Sequence, residues 1–245
     1  MFALKHYDER ASAIAVLLAG GVPRFGGTVI SFAPEEEVVG EGDPTENFFL
    51  VMGGLFRAVK FTPDGRRQVF AFYMAGDLCG LEPDGTHKLT IEAVDDAAMA
   101  ILPRRSCRLG MNDHPEVISA LFDGATRALT TTIDHMMMIG RSSANERLAW
   151  FLTMLAARSA GPSARVVDLA MHRQDIADYL GLTIETVSRT FTHFRDRGLI
   201  NLSRRRLVEI LRPLALAQLA AADRDATPTD TWRRGGFSAS PNLSM

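Results

Sequence analysis

Cysteine is nearly missing from this chain: 245 residues hold only Cys79 and Cys107. Two cysteines cannot build a disulfide framework, and neither lies in a Cys-x-x-Cys pair or a Cys/His cluster with metal-ligand spacing. Long apolar runs are missing too. None is longer than Ala13–Ala19, far below the ~18 residues at which a membrane span begins to be credible. The apolar stretch Ala11–Ala19 follows Lys5 and Arg10, but Asp8 and Glu9 sit among the basic residues, against the pattern of a secretory signal. An amphipathic N-terminal helix or arm over residues 1–27 is the expectation. No Ser/His/Asp or metal–carboxylate constellation converges in the sequence, so neither an enzyme activity nor a cofactor is expected. What is present is an apolar share of 47%, enough for a real core. The expectation is a soluble, cytoplasmic protein with no membrane partner.

A formal net charge of −2 conceals an asymmetry. Arg141 to Arg212 carries +5, while the remainder carries −7. A basic C-terminal third on an acidic body suits a module that meets a polyanion, because neutralising phosphates releases their counterions.

From Val29 to Leu102 the chain reads as many short strands. Val29–Phe32, Phe48–Met52, Leu55–Phe61 and Gln68–Tyr73 are rich in β-branched or aromatic residues. Gly40, Gly53-Gly54, Gly76-Asp77 and Pro83-Asp84-Gly85 separate or bound them, and Asp64-Gly65 predicts a hairpin turn. An antiparallel β sandwich, roll or barrel over residues 28–113 is expected.

The texture then changes to one long helix over residues 114–139. Leu121, Ala125, Leu129, Thr132 and Met136 form one stripe, and Phe122, Ile133 and Met137 widen it beyond a single face. A helix apolar on two sides needs two things to pack against. The β domain is one; a second copy of the same helix is the most economical other, which makes those five stripe residues the expected dimer interface. Gly140-Arg141-Ser142-Ser143 breaks the pattern and marks a domain boundary and hinge.

Residues 173–189 read as helix, tight turn, helix. Ala177 is small where two helices cross, Gly181 can take the left-handed conformation the turn demands, and Val187 returns the apolar contact. Thr183 is placed to cap the second helix. Its buried side is Val187, Phe191 and Phe194. Glu185, Ser188, Arg189 and Thr192 form the opposite polar stripe, at the end of the helix that reaches base edges in a DNA major groove. Arg189 can donate twice to a guanine, Glu185 can accept from a cytosine amino group, and Ser188 can bond either way. Downstream, Gly198–Leu202 and Leu207–Leu211 flank Ser203-Arg204-Arg205-Arg206, a hairpin wing whose arginines suit phosphates. Arg173, Thr183 and Thr192 are the other candidate contacts to the DNA backbone. These features assign residues 140–212 to a winged helix-turn-helix, followed over 213–245 by a short helix and a disordered tail.

The strand-rich segment, the long helix, Asn145-Glu146-Arg147-Leu148-Ala149 and Leu180-Gly181-Leu182-Thr183-Ile184-Glu185-Thr186-Val187-Ser188-Arg189 together resemble the CRP/FNR superfamily of bacterial transcription regulators over roughly residues 25–212. Glu185-x-x-Ser188-Arg189 is similar to the FNR-type reading motif; the cyclic-AMP receptor branch has Arg and Gly where this chain has Ile184 and Ser188. The resemblance implies an α+β fold: an N-terminal antiparallel β-roll of the jelly-roll, cyclic-nucleotide-binding kind, a dimerisation helix, and a winged helix-turn-helix. It also implies a homodimer on double-stranded DNA bearing an inverted repeat of TTGA-like half-sites, activating transcription by touching RNA polymerase.

The chain departs from its branches at two places. Residues 1–78 contain none of the cysteines with which FNR members hold an iron–sulfur cluster. Gly76-Asp77-Leu78-Cys79-Gly80-Leu81-Glu82 and His87-Lys88-Leu89-Thr90 lack the Arg-Ser pair of the cyclic-nucleotide pocket. Both departures are shared with the FixK-type branch, which implies a role in low-oxygen, nitrogen-fixation or denitrification control without an obligatory effector. The alternative is an effector-gated regulator whose β-roll binds a cyclic nucleotide or other small ligand. Cys79, beside glycines, and Cys107, whose neighbours Arg105 and Arg108 should lower its pKa, are the candidates for a redox switch.

Overall fold

The computed structural model describes residues 26–83, 85–110, 115–141, 143–160, 165–202 and 206–221. The expected N-terminal helix, the disordered tail, and Arg204 and Arg205 of the wing lie outside the described residues.

Eight strands form two four-stranded sheets: β1 (Thr28–Phe32), β2 (Glu37–Val39), β3 (Asn47–Gly53), β4 (Leu55–Phe61), β5 (Arg67–Met74), β6 (Leu78–Cys79), β7 (Thr90–Ala93) and β8 (Ala97–Pro103). One sheet has the order β1-β8-β3-β6 and the other β2-β7-β4-β5, and every pairing is antiparallel. Phe32, Phe49, Val51, Phe56, Ile91 and Met99 fill the space between them, with the Phe32 and Phe56 rings meeting edge to face at 5.8 Å. The hairpin expected at Asp64-Gly65 joins β4 to β5, with the Gly65 amide donating to the Thr62 carbonyl at 2.8 Å. Gly54 is obligatory at the β3–β4 corner: its φ is +76°, and a Cβ there would lie 2.4 Å from that of Ala97. A short helix the sequence did not announce, α1 (Arg104–Gly110), closes the roll.

Strand β4 carries a lesson about burial. An antiparallel strand with one wet face should alternate in exposure, yet Leu55, Phe56, Arg57, Ala58 and Val59 are all buried. Phe56 and Ala58 point into the roll. Leu55 and Val59 belong to a different core, shared with the C-terminal half of the chain.

The helix expected over residues 114–139 is α2 (Pro115–Arg141), 27 residues long, or about 40 Å at 1.5 Å per residue. Its threonines cause no break, since Thr126, Thr130 and Thr132 each donate to the carbonyl four residues back. The break at Ser143 begins α3 (Ala144–Ala160). The Ser143 amide donates to Glu146 at 2.6 Å, and the Glu146 amide donates to the Ser143 hydroxyl at 3.4 Å, a reciprocal cap.

Beyond it lie β9 (Val166–Asp168), α4 (Arg173–Leu180), α5 (Ile184–Asp196), β10 (Ile200–Leu202), β11 (Leu207–Ile210) and α6 (Pro213–Ala221). β9 adds to the wing hairpin, giving a three-stranded sheet of order β10-β11-β9. The hinge expected at residue 140 joins two parts that are packed together. One continuous core runs from Leu55, Val59, Val69 and Phe72 of the roll through Phe151 and Leu152 of α3 to Tyr179 and Phe194. The Phe72 and Tyr179 ring centroids are 5.1 Å apart.

Candidate nucleic-acid interface

Gly181 ends α4 in the left-handed conformation, φ 62° and ψ 41°. The chain then turns within three residues, and Thr183, in extended geometry, caps α5 by accepting from the Thr186 amide at 3.2 Å. Val187, Thr190, Phe191 and Phe194 are the buried side of α5, and Ala177 and Val187 share its core. The opposite side carries Glu185, Ser188, Arg189 and Thr192, all exposed. A helix anchored by its apolar side and capped at its start thus presents one polar stripe to solvent. Among the described residues, Glu185 and Arg189 have no hydrogen-bonding or ionic partner, so both heads are available to base edges. Thr192 donates back to the Ser188 carbonyl at 3.1 Å.

Ile184 opens the same helix and is 43% exposed, an apolar residue at the edge of a polar surface.

Arg173 is not a free side chain. Its guanidinium lies 3.4 Å from the Phe191 ring centroid, packed beneath α5, with Nη1 buried and without a hydrogen-bond partner among the described residues. Burial lowers its pKa to about 10, still fully charged near neutrality. Its visible role is to brace α4 against α5 through a cation–π contact. Arg206 stands on the wing within 3.4 Å of Asp168 and 3.8 Å of Asp95, so it has carboxylate neighbours in the free protein.

Several residues that hold this surface escaped the sequence reading. Arg147 of α3 donates to the carbonyls of Leu180 at 2.9 Å and Gly181 at 3.3 Å, and to that of Ile139 at 2.8 Å. One guanidinium therefore satisfies backbone at the ends of both α2 and α4, where helix carbonyls lack partners and the dipole favours a cation. His135 of α2 bonds through Nε2 to the Tyr179 carbonyl at 2.8 Å and stacks on the Tyr179 ring at 3.9 Å. Burial pushes its pKa below the ordinary value, partly offset by that hydrogen bond.

On α2 the roll takes up one edge of the stripe expected as the dimer interface. Leu121 packs on Leu50, Leu78, Leu102 and Cys107 of the roll, and Ala125 is half-buried. The outward apolar face is centred on Phe122, Leu129, Ile133 and Met136, with Met137 exposed at its edge. At 100° per residue these four fall within one narrow arc, whereas Leu121 lies on the edge that the roll claims. Thr132 is exposed beside that face.

The redox candidates change as well. Cys79 is 2% and Cys107 1% exposed, and burial pushes both thiols up. The lowering expected for Cys107 from Arg105 and Arg108 is overturned, since desolvation of the thiolate outweighs charges that neighbour it only in sequence. At the turn matching the cyclic-nucleotide pocket, Asp77 ion-pairs with Arg158 of α3 and accepts from the Met74 amide at 2.9 Å. His87 is buried beside Glu82 at 3.3 Å, and Leu89 packs into the roll.

An eight-stranded roll, a long helix with an outward apolar face, and a winged helix-turn-helix with an exposed polar stripe define a DNA-binding transcription regulator. Residues 29–113 match the cyclic nucleotide-binding domain family, and residues 146–219 match the Crp-like helix-turn-helix domain family. The chain is 36% identical over 213 residues to the nitrogen fixation regulation protein FixK of Rhizobium meliloti, covering 86% of this chain and 97% of that protein. It is 34% identical over 195 residues to the transcriptional activatory protein AadR of Rhodopseudomonas palustris, covering 79% of this chain and 81% of that one. The solved structure of FixK2 from Bradyrhizobium japonicum superposes with a TM-score of 0.73 at 36% identity, covering 79% of this chain and 96% of that chain. The chain belongs to the CRP/FNR family of transcription regulators, with relatives of the FixK type.

Proposed function

We propose that the protein is a homodimeric activator that reads an inverted repeat of TTGA-like half-sites, contacts RNA polymerase, and serves a low-oxygen, nitrogen-fixation or denitrification regulon without an obligatory small ligand. The observation that carries this reading is the capped helix α5 with Glu185, Ser188 and Arg189 exposed and the two charged heads unpaired among the described residues. Arg189 donates to guanine N7 and O6, Glu185 accepts from cytosine N4, and Ser188 adds a hydroxyl that bonds either way. Thr183, Thr192 and the wing arginines Arg204, Arg205 and Arg206 position the helix through phosphates, where contacts set register and salt dependence, while Arg173 acts from beneath by holding α4 against Phe191 of α5. Dimerisation supplies the second half-site, and the outward face of Phe122, Leu129, Ile133 and Met136 is the surface that a second copy covers.

Independence from a ligand is supported at the β5–β6 turn. The Asp77 carboxylate is already neutralised by Arg158 and bonded to a backbone amide. Binding of purified, ligand-free protein to an inverted TTGA repeat, compared with a scrambled repeat at equal salt, tests the proposal. Equal affinity for both sequences overturns it.

One observation favours effector gating as a second reading. A cleft of about 590 Å³ lies between β5, the β5–β6 turn, α2 and α3, bordered by Tyr73, Arg127, Arg158 and Tyr179. A rise of tenfold or more in DNA affinity with cyclic AMP, about 1.4 kcal/mol of coupling, would establish that reading in place of the first.

A further inference from the structure

A buried arginine in a strand whose other buried residues are all apolar calls for an explanation, and Arg57 of β4 has one. Its side chain is 3% exposed and is surrounded by three carboxylates: Glu92 of β7 at 2.7 Å, Asp175 of α4 at 3.1 Å, and Glu35. Its pKa is raised, because the hydrogen bonds and charges of Glu92, Asp175 and Glu35 outweigh burial, the largest single influence. Arg67, at the start of β5, pairs with Asp175 as well and with Asp178 at 2.9 Å. Asp175 and Asp178 are three residues apart and share one face of α4. Two arginines of the roll thus grip two aspartates of the helix that braces the recognition helix.

Asp175 does double duty. Its second oxygen accepts from the His172 amide at 2.9 Å and closes the first turn of α4. The start of α4 is therefore tied to the roll through a carboxylate only 1% exposed. Rotating the DNA-binding domain about the hinge would separate charges that lie out of water, which is far more costly than breaking a surface pair. A weaker tie repeats the arrangement at the wing, where Arg206 faces Asp95 of the roll at 3.8 Å.

We propose that this ionic clasp, Arg57 and Arg67 on Asp175 and Asp178, is a specificity device: it sets the spacing between half-sites that the dimer accepts. The inference rests on the dimeric, DNA-reading function proposed above. α5 is fixed to α4 by the Gly181 turn and by Val187, α4 is fixed to the roll by the clasp, and the roll is fixed to α2. With α2 at the dimer axis, the separation of the two recognition helices follows from that chain of rigid joints. Half-site spacing is a geometric consequence of that separation. The four residues touch no base and act only through the position of α5.

The test uses full-length protein carrying Arg57→Met or Arg67→Met, each keeping most of the side-chain volume. Arg67→Lys serves as the conservative control. Affinity is measured for inverted repeats whose central spacer is shortened or lengthened by one base pair, and for an isolated half-site. The wild type should prefer its own spacing by tenfold or more. Both Met variants should bind the half-site as the wild type does while that preference falls below threefold, and Arg67→Lys should restore it. A merely structural defect would lower half-site binding and leave the ratio alone. Because Arg57→Met leaves buried acids uncompensated and can fail to fold, Arg67→Met carries the test if it does, since it retains the Arg57–Asp175 pair.

A second measurement needs no DNA. Donor and acceptor dyes at Phe61 and Arg195, both exposed, report the distance between the roll and α5 within one chain. That distance distribution should be narrow in the wild type and broad in the Met variants. An unchanged distribution together with an unchanged spacing profile overturns the clasp. Absence of sequence-specific binding by the wild type overturns the DNA reading instead, and the dye measurement still decides whether the clasp holds the two domains.

Discussion

Arg189→Ala should remove the protein's operator while leaving its fold intact. The side chain is exposed and has no partner among the described residues, so its loss should change stability by no more than about 0.5 kcal/mol. A bidentate arginine–guanine contact discriminates against the wrong base by about 1–3 kcal/mol. A two-fold dimer uses it twice, giving roughly 2–6 kcal/mol. At about 1.4 kcal/mol per decade, that is a loss between about 30-fold and about 20,000-fold. Fluorescence anisotropy with a labelled inverted repeat measures it, at one fixed salt concentration because phosphate contacts make affinity strongly salt-dependent. Replacing the half-site guanine by 7-deazaguanine removes the N7 acceptor and completes a double cycle. Wild type should lose affinity on the modified DNA, and the Ala variant should lose nothing further. Independent, additive losses, or an equal loss on scrambled DNA, would refute the assignment of Arg189 as a base reader.

Three further outcomes are expected. Leu129→Asp or Met136→Asp, on the outward face of α2, should give folded monomers by light scattering, whereas Leu121→Asp should lower the melting temperature of the roll; a dimer that survives both outward substitutions would remove α2 from the interface. His135 has a folded pKa below its ordinary 6.5, so just below that value the unfolded chain binds the proton more readily than the native one, and stability must rise with pH across this window and be lost as pH falls through it. Urea midpoints at pH 5.5 and 7.5 should differ for the wild type by more than for His135→Gln, and equal differences would deny His135 that role. The raised pKa and burial of Cys79 and Cys107 predict that an aromatic disulfide reagent titrates neither thiol in native protein and both in urea; rapid native reaction would reopen the redox reading.

Much of this molecule was written locally. Gly181, Thr183 and Val187 announce the turn, the cap and the packing contact of a helix-turn-helix within seven residues, because caps and left-handed turns are decided by near neighbours. The same holds for the Asp64-Gly65 hairpin and for the polar stripe of α5, since helical periodicity alone places Glu185, Ser188, Arg189 and Thr192 together. Short pairing elements were harder to see. β2, β6 and α1 have two to seven residues each, too few for a period to register.

Tertiary structure decided whatever depends on partners distant in the chain. Arg57 meets Asp175 across 118 residues, and a strand pattern cannot say that both faces of β4 will be covered. Arg105 and Arg108 adjoin Cys107 in sequence, yet burial sets that thiol's pKa, because desolvation depends on what the folded chain places around a group. Likewise Leu121 and Phe122 are adjacent apolar residues on one helix, and only the arrival of the roll partly covers the first and leaves the second outside. The sequence by itself determined the helix-turn-helix and the strand-rich domain, through short-range geometry and periodicity. Packing decided which side of α2 remains open and which charges join the two domains, because burial and ion pairing are properties of surfaces that meet only in the folded protein.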